Sequence, residues 1–324
     1  MSYKKIGILT SGGDSPGMNA AIRAVVRSSL QSGMECFGLL HGYQGLISKQ
    51  MIPLSAGSVA NTIQRGGTFL KTGRCQDMYQ PEGRKRAADG FKDLSLEALV
   101  VIGGDGTYAG ANLLGEEHGI PCVGLPGTID NDITGTDYTI GFDTAVNTAL
   151  EAIDRIRDTA ASHDRLFIVE VMGRESGFIA VDVALAGGAE AVFIPENFTS
   201  IDNTIDHIRK GIARGKMSSI LVASEGQNPG RAYDLAEQIR RKSHFEAKVC
   251  VLGHVQRGGS PTAKDRIMAS RMGEAAVACL VRGEVGVMIA LQREELVSIS
   301  LKTVSGKKKT VPAKLLELLQ VLST

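Results

Sequence analysis

Short, uninterrupted apolar runs rich in Val, Ile and Leu alternate along the chain with longer stretches of helical period. The runs at 5–10, 98–102, 122–125, 166–171, 191–194, 220–223 and 249–252 predict buried strands. The stretches at 19–30, 106–117, 144–159, 201–212 and 231–243 predict helices between them. Strands without polar alternation are covered on both faces, which is the habit of parallel sheets in α/β proteins. The pattern therefore predicts an α/β fold of mostly parallel sheets flanked by helices.

The turns after these strands are polar and rich in glycine. Thr10 leads into SGGDSPG, Ile102 into GGDGT, Leu125 into PGTIDND, Val171 into MGRESG, Ala223 into SEG, and Leu252 into GHVQRGG. Ligands of open α/β sheets bind beyond the carboxyl ends of the strands. These turns are expected to be pieces of one composite cleft.

Composition narrows the class. A length of 324 residues suits two domains, and the apolar (43%) and charged (22%) fractions are those of a globular chain. The net charge of +1 provides no global attraction to nucleic acid or membrane, so anionic ligands must be held by local Arg and Lys. Cys36, Cys75, Cys122, Cys250 and Cys279 are scattered with no CxxC, which predicts reduced thiols rather than disulfides or a zinc site. The first apolar stretch is too short for a signal peptide, and no run approaches the roughly 20 residues that span a bilayer. A soluble, cytoplasmic protein is expected. The run Lys307-Lys308-Lys309 reads as solvated surface.

Three stretches carry chemistry. In Gly103-Gly104-Asp105-Gly106-Thr107, a strand ending in glycines before a helix offers backbone N–H groups to a phosphate, and Asp105 a carboxylate to Mg²⁺. The same residues also fit a plain strand-to-helix turn capped by Asp105. Gly104, Gly106 and Ala109 match the dinucleotide fingerprint, and NAD and lipid kinases carry a GGDG-like stretch. Residues 11–19 supply a second glycine turn whose amides are expected to face phosphates. No P-loop motif occurs. In Thr128-Ile129-Asp130-Asn131-Asp132, extended backbone points Asp130 and Asp132 the same way, roughly 7 Å apart. One can take the proton of an attacking hydroxyl while the other orients its surroundings. Beside a triphosphate such a pair requires compensation by a divalent cation and Arg. An acidic turn-forming loop is the alternative.

The stretches TSGGDSPGMNAAIR, RGGTFLKTGR, GGDGT, PGTIDND, VMGRESG, SEG and GHVQRGGSP, in this order, resemble the bacterial-type phosphofructokinases over nearly the whole chain. The likeness is weakest in the last few dozen residues. It implies two interleaved α/β domains: a nucleotide domain at 1–141 plus 256–306, and a sugar-phosphate domain at 142–255 plus 307–324. It implies transfer of the ATP γ-phosphate to the 1-hydroxyl of fructose 6-phosphate with Mg²⁺, giving fructose 1,6-bisphosphate and ADP. A homotetramer with shared active sites is also implied.

The resemblance further implies residue roles. Asp130 is the general base and Asp105 the Mg²⁺ ligand, while Thr128, Asp132 and Arg174 belong to the catalytic set. Gly12, Arg74, Cys75 and Gly104, Asp105, Gly106 and Thr107 form the ATP site. Met172, Gly173, Arg174, Glu225, His254 and Arg257 hold the sugar phosphate, and Arg165 and Lys248 reach it from a neighbouring subunit. Arg23, Arg27, Arg157, Glu190, Arg214 and Lys216 match an effector site for ADP or phosphoenolpyruvate. Members that use pyrophosphate carry Asp and Lys where this chain has Gly106 and Gly127, so ATP is the expected donor. Two departures stand out: Lys248 replaces an Arg, which predicts a weaker hold on the 6-phosphate, and Ala56 replaces a phosphate-binding Arg, which predicts reduced regulation. The rivals are a pyrophosphate-dependent member, a GGDG-type kinase of another acceptor, a nicotinamide dehydrogenase and a non-catalytic effector-binding relative. Pro126 closes the strand where a dehydrogenase would need an acidic residue. Asp105 and Asp130 are both present, against a loss of catalysis.

Overall fold

The computed structural model describes residues 3–161, 166–216 and 218–323. Two compact units divide the chain. The first comprises Met1–Ile129, Ile133–Asp143 and Arg257–Lys309, and the second Asp130–Asp132, Thr144–Gln256 and Thr310–Thr324. The bounds thus fall at 143, 257 and 309 rather than 141, 256 and 306, and Asp130–Asp132 group with the second unit.

In the first unit, β1 (Lys5–Ser11), β2 (Glu35–Leu39), β3 (Met51–Leu54), β4 (Ala98–Gly103), β5 (Cys122–Pro126), β10 (Val287–Gln292) and β11 (Glu295–Ser300) form one sheet. Its order is β11-β10-β5-β4-β1-β2-β3, parallel except for the two edge strands. The apolar runs at 98–102 and 122–125 fall in the middle, where β4 and β5 are buried throughout. Helices α1 (Met18–Gln31), α2 (Tyr43–Ile47), α3 (Pro81–Asp93), α4 (Asp105–His118), α9 (Ala263–Arg282) and α10 (Leu301–Val304) complete the unit. Leu9, Leu99, Val101, Tyr108, Leu114 and Leu301 belong to one core cluster. Register places the ends of β1, β4 and β5 side by side: Ser11 pairs with Gly103, and Gly103 with Pro126. Proline is tolerated there because it closes the strand, and the Gly127 N–H donates to Gly103 O (3.0 Å) in its place.

An ion pair between a buried arginine and an exposed glutamate joins α3 to α4. Arg84 Nε and Nη2 donate to the two Glu117 carboxylate oxygens, both at 2.7 Å, and Nη1 donates to Met78 O at 3.0 Å. Arg84 is 7% exposed. Hydrogen bonding from Arg84 holds the Glu117 carboxyl below its usual value. Arg84→Met should lower unfolding free energy by about 1 kcal/mol, since solvent screens the exposed glutamate, read as a lower urea midpoint at unchanged slope. Because the folded carboxyl is depressed, this contribution is present above the unfolded value and lost as pH falls through the folded one. The gap between wild type and variant should therefore close below about pH 4.

In the second unit, β6 (Leu166–Val171), β7 (Ala191–Phe193), β8 (Ser219–Ser224) and β9 (Ala247–Val251) form a wholly parallel sheet in the order β7-β8-β6-β9. Helix α5 (Phe142–Ala161) leads into this unit, which also holds α6 (Phe178–Gly187), α7 (Ile201–Ala213), α8 (Arg231–Ser243) and α11 (Ala313–Leu322). The apolar run of β6 carries Glu170, only 1% exposed. Its carboxylate accepts Gly230 N (2.7 Å) and Ala232 N (2.8 Å), satisfying amides at the start of α8. Among the described residues no helix is long and apolar enough to cross a membrane, and the five cysteines are free thiols.

Candidate active site

The residues expected to hold the nucleotide gather in the first unit, at the adjoining ends of β1, β4 and β5. Gly12 takes φ +89°, a conformation that favours glycine. Its amide, expected to face phosphates, instead donates to Gly73 O (3.2 Å), and its carbonyl accepts from Thr72 Oγ1 (3.0 Å). The irregular 65–75 segment is thereby laid against the end of β1. Asn19 holds it too, donating through Nδ2 to Arg65 O (3.0 Å) and Gly66 O (3.2 Å) and accepting from Phe69 N (3.0 Å). The segment presents an exposed Arg74 and a half-exposed Cys75 next to Gly12. Partial burial pushes the Cys75 thiol up, so it stays neutral at physiological pH.

At the GGDGT turn, a Cβ on Gly103 would stand 2.4 Å from Ser11 O, so backbone approaches backbone directly. Thr107 Oγ1 donates to Ser11 O (3.2 Å), and α4 starts with the amides of Thr107 and Tyr108 on Gly104 O. A Cβ on Gly104 would lie 3.9 Å from that of Thr128, which sets Thr128 against the turn. Gly106 is exposed, and beyond its chain neighbours and its own helix backbone no atom lies within 4 Å of its virtual Cβ. The sequence reading missed Tyr43: buried, its hydroxyl donates to Thr107 O at 2.6 Å. Burial holds the Tyr43 phenol well above its usual value, so it remains a donor. Arg257, expected at the sugar phosphate, lies against the SGGD turn, where Nη1 donates to Asp14 O (3.0 Å).

Asp105 is the first residue of α4 and half-buried, with Oδ1 accepting Gly306 N at 2.7 Å. Among the described residues no three His, Cys, Asp or Glu gather as a metal-binding group. One oriented, solvent-reachable carboxylate at a helix start fits Mg²⁺ as that ion is usually held, by one or two carboxylates, water and substrate phosphates.

Most residues expected to hold the sugar phosphate belong to the second unit. Asp130 (6% exposed) and Asn131 (φ +49°) are buried, and Asp132 is half-buried. Ser176 Oγ donates to Asp130 O (2.8 Å). Gly173 takes φ +143°, and a Cβ there would stand 2.3 Å from Ser176 O, so the MGR turn requires glycine. This turn aims an exposed Arg174 outward while its amide donates to Glu225 Oε1 (3.3 Å). Gln256 is fully buried; Oε1 accepts Met172 N (2.8 Å), and Nε2 donates to Ala145 O (3.3 Å). One network thus joins Met172, Gly173, Arg174 and Glu225, and Ser176 ties it to Asp130. His254 is exposed, in the turn that precedes Gln256.

Lys248 lies apart from this network, exposed on edge strand β9 and 3.9 Å from Glu246. Arg165 falls outside the described residues. Of the expected effector residues, Glu190 is buried, accepts Ile220 N (2.5 Å) and pairs with Lys216. Arg157 donates to the carbonyls of Gly187 and Gly188, just before Glu190 in sequence. Arg214 follows α7, whereas Arg23 and Arg27 sit one turn apart on α1 in the first unit. Ala56 is exposed in the turn after β3.

The chain matches the family profile described as Phosphofructokinase over residues 5–280. It is 56% identical over 320 residues to ATP-dependent 6-phosphofructokinase 1 of Thermus thermophilus, covering 99% of both chains. It is 48% identical over 323 residues to ATP-dependent 6-phosphofructokinase 2 of Bacteroides thetaiotaomicron, again covering 99% of each. Among solved structures it resembles phosphofructokinase from Saccharomyces cerevisiae, with a TM-score of 0.87 and 35% identity, over 93% of this chain and 45% of the yeast chain. Motifs, fold and relatives agree, and the chain belongs to the phosphofructokinase family.

Proposed function

We propose that this chain is an ATP-dependent 6-phosphofructokinase, which moves the γ-phosphate of ATP to the 1-hydroxyl of fructose 6-phosphate. The observation that carries the reading is the buried TIDND loop, with Asp130 tied through Ser176 to the MGR turn. A carboxylate carried on backbone held in that way is suited to take the hydroxyl proton as the oxygen attacks phosphorus, a contribution of roughly 10²- to 10⁴-fold. The phosphoryl group in flight needs positive charge and orientation more than covalent help. Arg174 and Thr128 are the groups assigned to it, and Asp132 orients the loop. Mg²⁺, when bound, neutralises phosphate charge, and Asp105 is the residue that would hold it.

ATP is favoured over pyrophosphate as donor by the open space at Gly106 and by the names of the relatives above. Arg74, Cys75 and the GGDGT turn would receive the nucleotide. Met172, Gly173, Glu225, His254 and Arg257 would receive the sugar phosphate. We further infer a homotetramer in which Arg165 and Lys248 serve a neighbouring subunit, as the position of Lys248 away from the Asp130 network favours. Lysine cannot make the two-pronged contact of arginine with phosphate. Lys248→Arg should therefore lower KM for fructose 6-phosphate several-fold at unchanged kcat; an unchanged KM removes that assignment.

The acceptor position is tested by coupling the reaction to aldolase. Fructose 6-phosphate with Mg·ATP should give a product that aldolase cleaves. ATP consumption without such a product would point to another hydroxyl or another acceptor.

A further inference from the structure

The lysine run at 307–309, expected to be solvated surface, is tied down in the first unit. Leu301 and Val304 of α10 are buried in the core cluster that also takes Tyr108 and Leu114 of α4. The chain then turns at Gly306 (φ +73°), whose amide donates to Asp105 Oδ1 at 2.7 Å across 201 residues. Lys308 pairs with Ile133 in an isolated antiparallel bridge, immediately after the TIDND loop. Lys309 Nζ donates to Thr136 O (3.0 Å) and Asp137 O (3.4 Å). Lys309 is half-buried, while Lys307 and Lys308 are exposed. Residues 305–309 are thus fastened to the start of α4 at one end and to the 133–137 loop at the other.

We propose that 305–309 is a positioning strap for the metal–nucleotide site, with Lys309 as the clasp that keeps the Gly306 amide on Asp105. The inference rests on the kinase reading above. A half-exposed carboxylate at a helix start would otherwise be free to rotate. A charge-assisted hydrogen bond to one oxygen fixes its plane and leaves the carboxylate oriented for a cation. The ammonium of Lys309 acts through its two carbonyl partners and needs no contact with the nucleotide. The effect should therefore depend on the clasp at 309 and not on charge along the run.

The test compares wild type with Lys309→Met, Lys309→Arg and Lys307→Met. Half-saturating Mg²⁺ is measured in the kinase assay. Binding of Mn²⁺ to the protein–ADP complex is measured by electron paramagnetic resonance, without turnover. Lys309→Met should weaken both about 10-fold with KM for fructose 6-phosphate unchanged. Lys309→Arg, which can still donate to both carbonyls, should restore most of the affinity, and Lys307→Met should match wild type. Should Lys309→Met not fold, Gly306→Ala carries the same comparison, since an alanine at that φ strains the turn while its Cβ meets nothing. Unchanged Mn²⁺ binding in Lys309→Met, or an equal loss in Lys307→Met, overturns the strap while leaving the kinase reading intact. A wild type that neither binds the metal nucleotide nor phosphorylates the sugar removes both.

Discussion

Replacing Asp130 with Asn lowers kcat by about 10³-fold while leaving the thermal unfolding midpoint close to wild type. The two side chains have the same shape. The hydrogen bond from Ser176 falls on the Asp130 backbone carbonyl, which the substitution keeps. What disappears is the carboxylate proposed to accept the proton of the 1-hydroxyl. An amide cannot take that proton, so the loss should appear in kcat, with KM for both substrates changed little. Asp132→Asn, altering a half-buried group that orients the loop, should cost less. A kcat within tenfold of wild type in Asp130→Asn, or a larger loss in Asp132→Asn, would reassign the base.

Gly106→Asp lowers kcat/KM for ATP by about 10²-fold, equivalent to about 2.7 kcal/mol of like-charge repulsion. The fold has no objection to a side chain at this position, because the space around its virtual Cβ is open. Gly106 also lies inside α4, where glycine is the weaker helix former. Gly106→Ala should therefore hold or raise the unfolding midpoint and still raise KM for ATP, since its methyl group enters the space assigned to the nucleotide. The aspartate adds a second carboxylate next to Asp105, in the space assigned to the triphosphate. If both variants keep the wild-type KM for ATP, the nucleotide does not pass over Gly106, and the donor assignment built on that glycine fails.

Most strands legible in the sequence lie inside the sheets, although β7 and β9, the two edges of the second sheet, were legible as well. β1, β4, β5, β6 and β8 are buried almost throughout, and their apolar runs are uninterrupted. The strands that went unread are at or near an edge or break the pattern. β2 carries Glu35 and Gly38, β3 contains Pro53, and β11 is a half-exposed hairpin partner. Proline at β3 is possible because that strand lies on an edge. α3 was hidden for another reason: its buried face includes Gly83, Arg84 and Gly90, so close backbone approach replaces large apolar side chains. α9 was there to be found, since Met268, Met272, Ala276 and Leu280 recur at helical spacing.

The candidate site divides along similar lines. Residues whose chemistry is their identity, such as Asp105, Asp130 and the glycines of the turns, could be named from spacing. Residues that work through long-range bonds to backbone could not. Tyr43 reaches Thr107 across 64 residues, Gln256 reaches Met172 across 84, and Lys309 reaches Thr136 across 173. Only the fold brings such pairs together. The signal for Gln256 was its place inside GHVQRGG, but Lys309 was masked by two exposed lysines beside it. Gly12 shows the converse. Its turn was legible, yet its amide is taken by Gly73 O, a partner 61 residues away that spacing alone does not reveal.

Donor and acceptor together define the reaction, and one assay addresses both directly. Purified protein is given fructose 6-phosphate and Mg²⁺, with ATP or pyrophosphate in parallel reactions, and fructose 1,6-bisphosphate is measured. Turnover with ATP and none with pyrophosphate is the predicted result. Turnover with pyrophosphate, or with neither donor, would contradict it.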